Sequence, residues 1–281
     1  MQNMAGILYL YIFLIGITFG SFFTLAVYRI PLGKDITHTR SFCPNCNHKL
    51  GFLDMIPLLS YLAIGGKCRY CKQKIRPRYF ILELLSGIVF VLFAVSIKIY
   101  TLEIHKLVYF IFGLLYIAGL FIICGIDKER IQIQNEVVLY MSIIEVLYII
   151  YLYVIEKTSI YRYVIYLLVL VILLFLNIMY YRKNIKNNYT IEVLILINIM
   201  LMFTYETCTI FTIITTLIII AFKLIFEKVT KKSKYVVKDE KKKIPIGFYL
   251  GVSNIIMLIY TNFLIFYVVK WYLNGGKEWI K

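Results

Sequence analysis

The stretch that decides the fold is residues 107–126, LVYFIFGLLYIAGLFIICGI, in which no residue carries a charge. A helix of about 20 apolar residues is long enough to cross the roughly 30 Å hydrocarbon core of a bilayer. The whole chain agrees with this stretch, because 61% of its 281 residues are hydrophobic and only 16% are charged. A soluble domain is about half apolar and about a quarter charged. The sequence therefore predicts an integral membrane protein.

Similar apolar runs recur along the chain and predict an all-α polytopic membrane protein with about eight transmembrane helices. The runs lie at 5–28, 79–98, 107–126, 137–155, 160–181, 191–205, 208–226 and 246–272. The sixth run is short, and only a few residues around Glu206 separate it from the seventh, which predicts a tight hairpin. The first run has no basic segment before it and no small-residue cleavage pattern after it, so we expect a retained helix rather than a signal peptide.

The basic residues are concentrated in alternate loops and predict the orientation of the helices. The formal net charge is +16, with ten Lys and Arg in 29–78 and eight in 227–245, whereas the connections near 99–106 and 205–207 hold few. The positive-inside rule places the basic loops in the cytoplasm and both termini outside. We therefore expect the charge excess to reflect sidedness and contact with anionic membrane lipid, and we do not expect nucleic acid as a partner.

The longest basic loop contains two Cys-x-x-Cys pairs and predicts a metal site. Cys43 and Cys46 form the first pair, and Cys68 and Cys71 form the second, with 21 residues between the pairs. Two short turns that each present two thiolates suit tetrahedral zinc coordination. Four thiolates leave no open position for water, so the zinc is expected to be structural. Two disulfides are the alternative, which a reducing cytoplasm disfavours.

Several motifs around these cysteines resemble those of type IV prepilin peptidases. The resembling segments are Gly20-Ser21-Phe22-Phe23-Thr24, Tyr28-Arg29-Ile30-Pro31, the two cysteine pairs, Asp54-Met55-Ile56-Pro57-Leu58-Leu59-Ser60-Tyr61, Ile75-Arg76-Pro77-Arg78-Tyr79 and Glu83-Leu84-Leu85. Near the C-terminus, Ile244-Pro245-Ile246-Gly247-Phe248-Tyr249-Leu250 resembles the Ile-Pro-Phe-Gly-Pro-Phe-Leu stretch of the family. The resemblance extends over nearly the whole chain and is most specific over residues 20–85.

The resemblance implies a membrane aspartic endopeptidase of the bacterial inner membrane. Such enzymes cut the short basic leader from prepilins or pseudopilins at the cytoplasmic face, and many also methylate the new N-terminus with S-adenosylmethionine. The chain would then comprise a first transmembrane helix (1–28), a cytoplasmic zinc-knuckle loop (29–78) and a peptidase-like helical body (79–281). We assign no residue to S-adenosylmethionine, because the sequence has no glycine-rich nucleotide-binding turn.

The mechanism of such an enzyme directs attention to the carboxylates, since it needs two carboxyl groups that share a proton in one pocket. Of the four aspartates in the chain, Asp127 lies where an apolar run ends on the predicted cytoplasmic side. It opens a stretch that resembles the Asp-x-x-x-x-x-Ile-Pro-Asp motif of the family, with Gln134 and Asn135 in place of Pro and Asp. The resemblance implies that Asp127 is the first catalytic aspartate. The alternative is an interfacial aspartate solvated beside Lys128 and Arg130, which the expense of an ionisable group at membrane depth disfavours.

The second catalytic aspartate of the family has no counterpart in this chain. Relatives carry it in a Gly-x-Gly-Asp-x-Lys motif, whereas the corresponding stretch here is Tyr189-Thr190-Ile191-Glu192-Val193-Leu194. Glu192 is the carboxylate at the expected spacing and is the candidate second member of the dyad. Its extra methylene would displace the carboxyl by about 1.5 Å, and a shift of that order can reduce the rate roughly a hundredfold. The alternative is an acidic residue in the first turn of a helix, where the helix dipole stabilises it, and the sequence leaves both interpretations open.

Two functions are therefore considered. One is a prepilin leader peptidase whose dyad is Asp127 with Glu192, and the other is a catalytically impaired membrane scaffold that binds pilin or assembly components. Glu83, early in the second run, is a further candidate carboxylate, and its alternative role is pairing with Arg78 or a lysine. A transporter would suit the number of helices, but glycine and proline are scarce within the runs, so paired broken helices are not indicated.

Overall fold

The computed structural model describes residues 2–38, 40–43, 45–155, 161–182, 189–231 and 244–273. The helices in this part of the chain are α1 Gln2–Arg29, α2 Leu59–Ala63, α3 Arg78–Ser96, α4 Ile104–Arg130, α5 Asn135–Val154, α6 Tyr161–Arg182, α7 Tyr189–Phe203, α8 Glu206–Lys231 and α9 Ile246–Leu273. Short 3-10 turns lie at Ile30–Leu32, Phe52–Asp54 and Ile99–Thr101. Across the described ranges the only β-structure is two isolated bridges, so the predicted all-α fold is confirmed.

The helices match the apolar runs of the sequence. Seven of them are long and apolar enough to cross a membrane, namely α1, α3, α4, α5, α6, α8 and α9. The sixth run corresponds to α7, which has 15 residues and is short as predicted. Only Thr204 and Tyr205 separate α7 from α8, which confirms the tight hairpin. Residues 183–188 and most of the basic loop predicted at 227–245 lie outside the described residues.

The chain forms two compact units, Met1–Leu114 and Leu115–Lys281. In the first unit, α1 and α3 pack closely through small residues. A Cβ atom at Gly16 would lie 2.7 Å from the Cα atom of Gly87, and one at Gly20 would lie 2.6 Å from the Cα atom of Glu83. The hydroxyl of Ser86 donates to the Gly16 carbonyl at 2.7 Å. This pattern is typical of membrane helices, which associate where small residues let their backbones approach.

In the second unit, buried polar side chains link α4, α8 and α9. The hydroxyl of Tyr116 donates to Asn254 Oδ1 at 2.7 Å, and Asn254 Nδ2 donates to Thr212 Oγ1 at 3.2 Å. Gly251 leaves room for Cys124, because a Cβ atom at position 251 would overlap the Cys124 Sγ atom. These contacts hold the C-terminal half of α4 against α9 and bring Asp127 to the first turn of α9.

Candidate functional site

The four cysteines of the first unit converge as the sequence predicts. The Sγ atoms of Cys43, Cys46, Cys68 and Cys71 all lie within 4.8 Å of one another. The Cys43 and Cys71 Sγ atoms are 3.9 Å apart. A tetrahedral zinc ion with Zn–S bonds of about 2.3 Å would hold its sulfur ligands about 3.8 Å apart. The donor set and its spacing therefore fit a structural zinc ion.

The two cysteine pairs are built as matching turns. In the first, the Cys43 N–H donates to the His48 carbonyl at 3.0 Å and the Asn47 N–H donates to the Cys43 carbonyl at 2.8 Å. In the second, the Cys68 N–H donates to the Gln73 carbonyl at 2.8 Å and the Lys72 N–H donates to the Cys68 carbonyl at 3.0 Å. Asn47 and Lys72 both have positive φ, at 55° and 59°. Each pair therefore presents its sulfurs through the same local fold.

None of these cysteines forms a disulfide in the described part of the chain. Cys43 and Cys68 are buried, whereas Cys46 and Cys71 are exposed. Hydrogen bonds, chiefly from the Cys71 backbone N–H, lower the pKa of the Cys68 thiol to about 7, whereas burial and the neighbouring thiols raise the pKa of the Cys71 thiol to about 11.

Asp54 and Glu83 hold the segment around the cysteines in place. Asp54 forms an ion pair with Arg69 at 3.1 Å and accepts a hydrogen bond from the Tyr70 hydroxyl at 3.2 Å, and both partners lie between Cys68 and Cys71. Glu83 accepts from the Leu58 backbone N–H at 2.8 Å. Its described bond thus goes to the backbone of the cysteine segment, which favours a structural role for Glu83.

The second unit contains the predicted catalytic Asp127. It lies near the C-terminal end of α4 and is fully buried, with 0% of its surface exposed. Its Oδ2 atom accepts from the Tyr189 hydroxyl at 2.9 Å and from the Phe248 backbone N–H at 2.8 Å. Its Oδ1 atom is buried and, within the described residues, has no hydrogen-bond partner. Asp127 is therefore not the solvated interfacial aspartate of the alternative interpretation.

The first turn of α9 and the Tyr189 hydroxyl surround this carboxylate. Tyr189 accepts a hydrogen bond from the Gly247 N–H at 3.0 Å while donating to Asp127. A Cβ atom at Gly247 would lie 3.1 Å from Asp127 Oδ2 and 3.1 Å from Ile133 Cδ1, so only glycine fits without displacement. The N–H groups of a first helical turn lack partners within their own helix, and the helix dipole attracts negative charge there. Asp127 thus provides a hydrogen-bond acceptor for the N-terminus of α9.

Glu192 lies on α7, three residues after the Tyr189 that bonds to Asp127, and its pairing with Asp127 stays a prediction. It is half-buried in the first turn of α7, and its Oε2 atom accepts from the Ile133 backbone N–H at 3.3 Å. Ile133 lies close to both carboxyl groups, since its N–H donates to Glu192 and its Cδ1 atom adjoins the same side of Gly247 as Asp127 Oδ2. The described hydrogen bonds of both carboxylates go to other groups rather than to each other.

Comparison with known proteins shows what residues of the first unit are similar to. Residues 14–97 match the bacterial peptidase A24 N-terminal domain. The chain is 42% identical over 80 residues to a prepilin leader peptidase/N-methyltransferase of Myxococcus xanthus and 42% identical over 88 residues to one of Klebsiella pneumoniae. It is 36% identical over 133 residues to one of Bacillus subtilis. Over these residues the chain is similar to prepilin leader peptidases/N-methyltransferases. No solved structure matches it.

The matches to the family are partial. They cover 28%, 29% and 46% of this chain, and 24%, 39% and 49% of the three relatives in the same order. The chain thus aligns with less than half of each of these relatives. The matched domain includes the four cysteines and Glu83 but ends before Asp127 and Glu192. The roles of those two carboxylates rest on their geometry and on the motif resemblance.

Two residues of the carboxylate site, Tyr189 and Gly247, were not singled out by the sequence analysis. Tyr189 stands in the stretch that corresponds to the Gly-x-Gly-Asp motif of the prepilin peptidases. In that stretch only the replacement of the aspartate by Glu192 was considered. Gly247 lies in a stretch noted only for its resemblance to the family. The signal that could have identified Gly247 is its place in Gly247-x-x-x-Gly251, a spacing typical of close contact between membrane helices.

Proposed function

We propose that this chain is a membrane aspartic endopeptidase that removes the leader from prepilins or pseudopilins at the cytoplasmic face of the bacterial inner membrane. The observation that carries the proposal is the buried Oδ1 atom of Asp127, which has no hydrogen-bond partner within the described residues, while Glu192 lies on α7 three residues after Tyr189, the donor to Oδ2. The names of the relatives, prepilin leader peptidase/N-methyltransferase, supply the substrate class.

The proposed chemistry uses Asp127 and Glu192 as a proton-sharing pair. One carboxylate draws a proton from a water molecule, and the resulting hydroxide attacks the carbonyl carbon of the scissile peptide bond. The other carboxyl group donates its proton to the leaving amine as the C–N bond breaks. The hydrogen bonds from Tyr189 and Phe248 hold Asp127 Oδ2, so Oδ1 is the atom free to exchange the proton.

In this proposal, residues 29–78 form a cytoplasmic zinc module between the first helix (1–28) and the helical body (79–281). Cys43, Cys46, Cys68 and Cys71 hold the metal. The zinc supplies folding energy and no chemistry, because four thiolates fill its coordination sphere. Membrane lipid and prepilin are the proposed partners. S-adenosylmethionine is proposed as a cofactor from the names of the relatives alone, and no step or residue is assigned to it.

A second candidate function, a pilin-binding scaffold without peptidase activity, is favoured by one specific observation. Both carboxylates are engaged with backbone N–H groups, Asp127 with Phe248 and Glu192 with Ile133. Asp127 is also fully buried, so a substrate reaches its carboxylate only after neighbouring groups move. A buried carboxylate whose only role is to accept hydrogen bonds from backbone N–H groups would have the same contacts.

Isosteric substitutions separate the two functions. Asn and Gln keep an oxygen that accepts a backbone hydrogen bond, but they cannot carry the shared proton. In cells that coexpress a prepilin, we expect Asp127→Asn and Glu192→Gln each to slow leader removal by about 10²–10⁴-fold. The matched control is Glu136→Gln, at an exposed acidic residue in the first turn of α5, which should cleave at the parent rate.

Leader removal would be followed by the mobility of the prepilin on gels, with the amount of membrane-inserted protein measured in parallel. A parent chain that never cleaves, although it is inserted and binds prepilin, supports the scaffold. A parent chain that cleaves and tolerates Glu192→Gln excludes Glu192 from the dyad.

A further inference from the structure

The apolar surface of the cysteine segment has no role in the proposed function. The turn Phe52–Asp54 and helix α2 contact each other, and both expose apolar side chains. Phe52 is 80% exposed, and Leu59 and Leu62 are 64% and 62% exposed. Leu59 and Leu62 are three residues apart, so they share one face of α2. An exposed apolar cluster of this kind marks a contact surface rather than a solvated loop.

The structure places this surface beside the beginning of a membrane-spanning helix. The Tyr61 ring of α2 packs on the Phe80 ring of α3 with centroids 5.3 Å apart. The Leu58 N–H, at the start of α2, donates to Glu83 at 2.8 Å. Glu83 is five residues after Arg78, where α3 begins, which corresponds to about 7.5 Å along the helix axis. Helix α2 therefore lies alongside the first two turns of α3.

The neighbouring surface of α3 is apolar as well. Ile81 and Leu85, in the same first turns, are 49% and 44% exposed, as expected for side chains of a spanning helix that contact lipid. Leu58 adopts a φ of 59°, which is unfavourable for a leucine, and its hydrogen bond to Glu83 helps to hold that conformation. The position of α2 against α3 is thus specified by particular contacts.

A basic cleft follows immediately along the chain. Lys67 and Lys74 face each other across an isolated bridge, and Arg76 lies two residues before Arg78. With Tyr61 and Gly66, these side chains line an open cleft of about 360 Å³. Three cations beside an exposed apolar surface at a membrane helix end are complementary to the phosphates of anionic phospholipid headgroups.

We propose that residues 52–63 lie in the bilayer interface, with Leu59 and Leu62 in the acyl boundary and the cleft of Lys67, Lys74 and Arg76 on the headgroups of anionic phospholipids. Amphipathic elements of this type lie about 5–10 Å into the boundary between headgroups and acyl chains. That depth agrees with the position of α2 beside the first turns of α3. The proposal does not depend on whether the chain cleaves a substrate.

Tryptophan fluorescence in vesicles tests the apolar part. The full chain, with its two native tryptophans replaced by phenylalanine, would carry Leu59→Trp and be reconstituted in phosphatidylcholine with phosphatidylglycerol, with or without brominated acyl chains. We expect blue-shifted emission and loss of at least half of the intensity in brominated lipid. The control is His38→Trp in the same segment, where the native side chain is 89% exposed, and its emission should remain red-shifted and unquenched.

Leu62→Trp is a second reporter in case the first variant does not insert. Red-shifted, unquenched emission from both reporters would overturn the proposal. Blue-shifted but unquenched emission would also overturn it, because the surface would then be covered by protein, as a docked partner helix would do.

Lipid selectivity tests the basic part. The Lys67→Gln/Lys74→Gln/Arg76→Gln variant should lose its preference for phosphatidylglycerol over phosphatidylcholine by about fivefold for each charge removed. The measurement compares how much spin-labelled phosphatidylglycerol and how much spin-labelled phosphatidylcholine each variant retains. Lys49→Gln/Lys72→Gln, at two exposed lysines of the cysteine turns, is the control and should retain the parent preference. An equal loss in both variants would show a diffuse charge effect and contradict a specific cleft.

Discussion

The cysteine cluster and the carboxylate site differ in how their contacts are distributed along the chain. Each half of the cysteine cluster closes within six residues, since Cys43 bonds to His48 and Cys68 bonds to Gln73. The carboxylate site joins Asp127 to Tyr189, 62 residues away, and to Phe248, 121 residues away. A site made from local turns keeps its geometry wherever the turn sequence survives. A site made where three helices meet depends on every helix that contributes to it.

The same two regions differ in how closely their sequences resemble those of prepilin peptidases. The cysteine segment lies within the domain that matches the family, and its motif residues Asp54 and Glu83 bond to neighbouring parts of the segment. In the carboxylate site, Tyr189 stands where the motif of the family has no tyrosine, and its hydroxyl occupies a position between Asp127 and Gly247. In this chain the residue at that position therefore connects Asp127 to the first turn of α9.

Removal of the metal ligands should have the largest effect and would test whether the cysteine region depends on zinc. The Cys43→Ser/Cys68→Ser variant should lose essentially all bound zinc, because two thiolates cannot close a tetrahedral site. Zinc sites of this type contribute about 10–16 kcal/mol to folding in small domains. Metal analysis of the purified chain should give about one zinc per parent molecule.

The control for this experiment is Cys208→Ser, at a cysteine that is buried in the second unit and outside the cluster. It should keep the full metal content. A double variant that still bound one zinc per chain would contradict the assignment of these ligands.

Loss of the Tyr189 hydroxyl should have the next largest effect and would test whether the bonds of Tyr189 stabilise the carboxylate site. Tyr189→Phe removes the donor to Asp127 Oδ2 and leaves the Gly247 N–H without its acceptor. Hydrogen bonds to charged groups contribute about 1.5–3 kcal/mol, so the free energy of unfolding should fall by that amount. SDS titration in mixed micelles would measure it, with the exposed Tyr161→Phe as an unaffected control.

The difference between the two regions also explains what could be predicted from the sequence. Hydrophobic runs determine the helices because a spanning helix needs only length and apolarity, so even the short α7 was expected. The cysteine ligands were predictable because their spacing defines the turn. Motif spacing also led to Asp127 and Glu192 as a pair, which stays a prediction.

The partners of these carboxylates could not be predicted in the same way. That Asp127 bonds to the first turn of α9 depends on how α4 and α9 pack, and no local pattern contains that information. Glu83 illustrates the same limit, since pairing with Arg78 or a lysine was the alternative considered for it, and it accepts a hydrogen bond from the Leu58 backbone N–H. Backbone donors are present at every residue, so the sequence does not distinguish the one that a carboxylate will meet.

Packing of α4 against α9 gives a third prediction, which tests the long-range character of the carboxylate site. Gly251→Ala places a methyl group on Cys124 Sγ, and overpacking of this kind costs about 1–3 kcal/mol. The Cys124→Ala/Gly251→Ala double variant should recover part of that loss, because it removes the opposing sulfur. Gly6→Ala, where nothing lies within 4 Å of the new atom, should be neutral or slightly stabilising. Additive losses in the double variant would argue against this contact.

The smallest expected effect concerns Asp54, and it tests whether the cysteine region is as local as its turns suggest. Asp54 lies outside both Cys-x-x-Cys pairs but bonds to Arg69 and Tyr70 inside the second. Groups that orient metal ligands from outside the coordination sphere typically change metal affinity by about 10–100-fold. Since all four ligands remain, we expect Asp54→Asn to weaken zinc retention by about tenfold, measured by competition with a chelator. Thr37→Val, elsewhere in the same loop, should leave retention unchanged, because Thr37 bonds only within the exposed turn of Asp35 and His38. If Asp54→Asn also left it unchanged, the two turns alone would determine the affinity, and the contrast with the carboxylate site would be sharper.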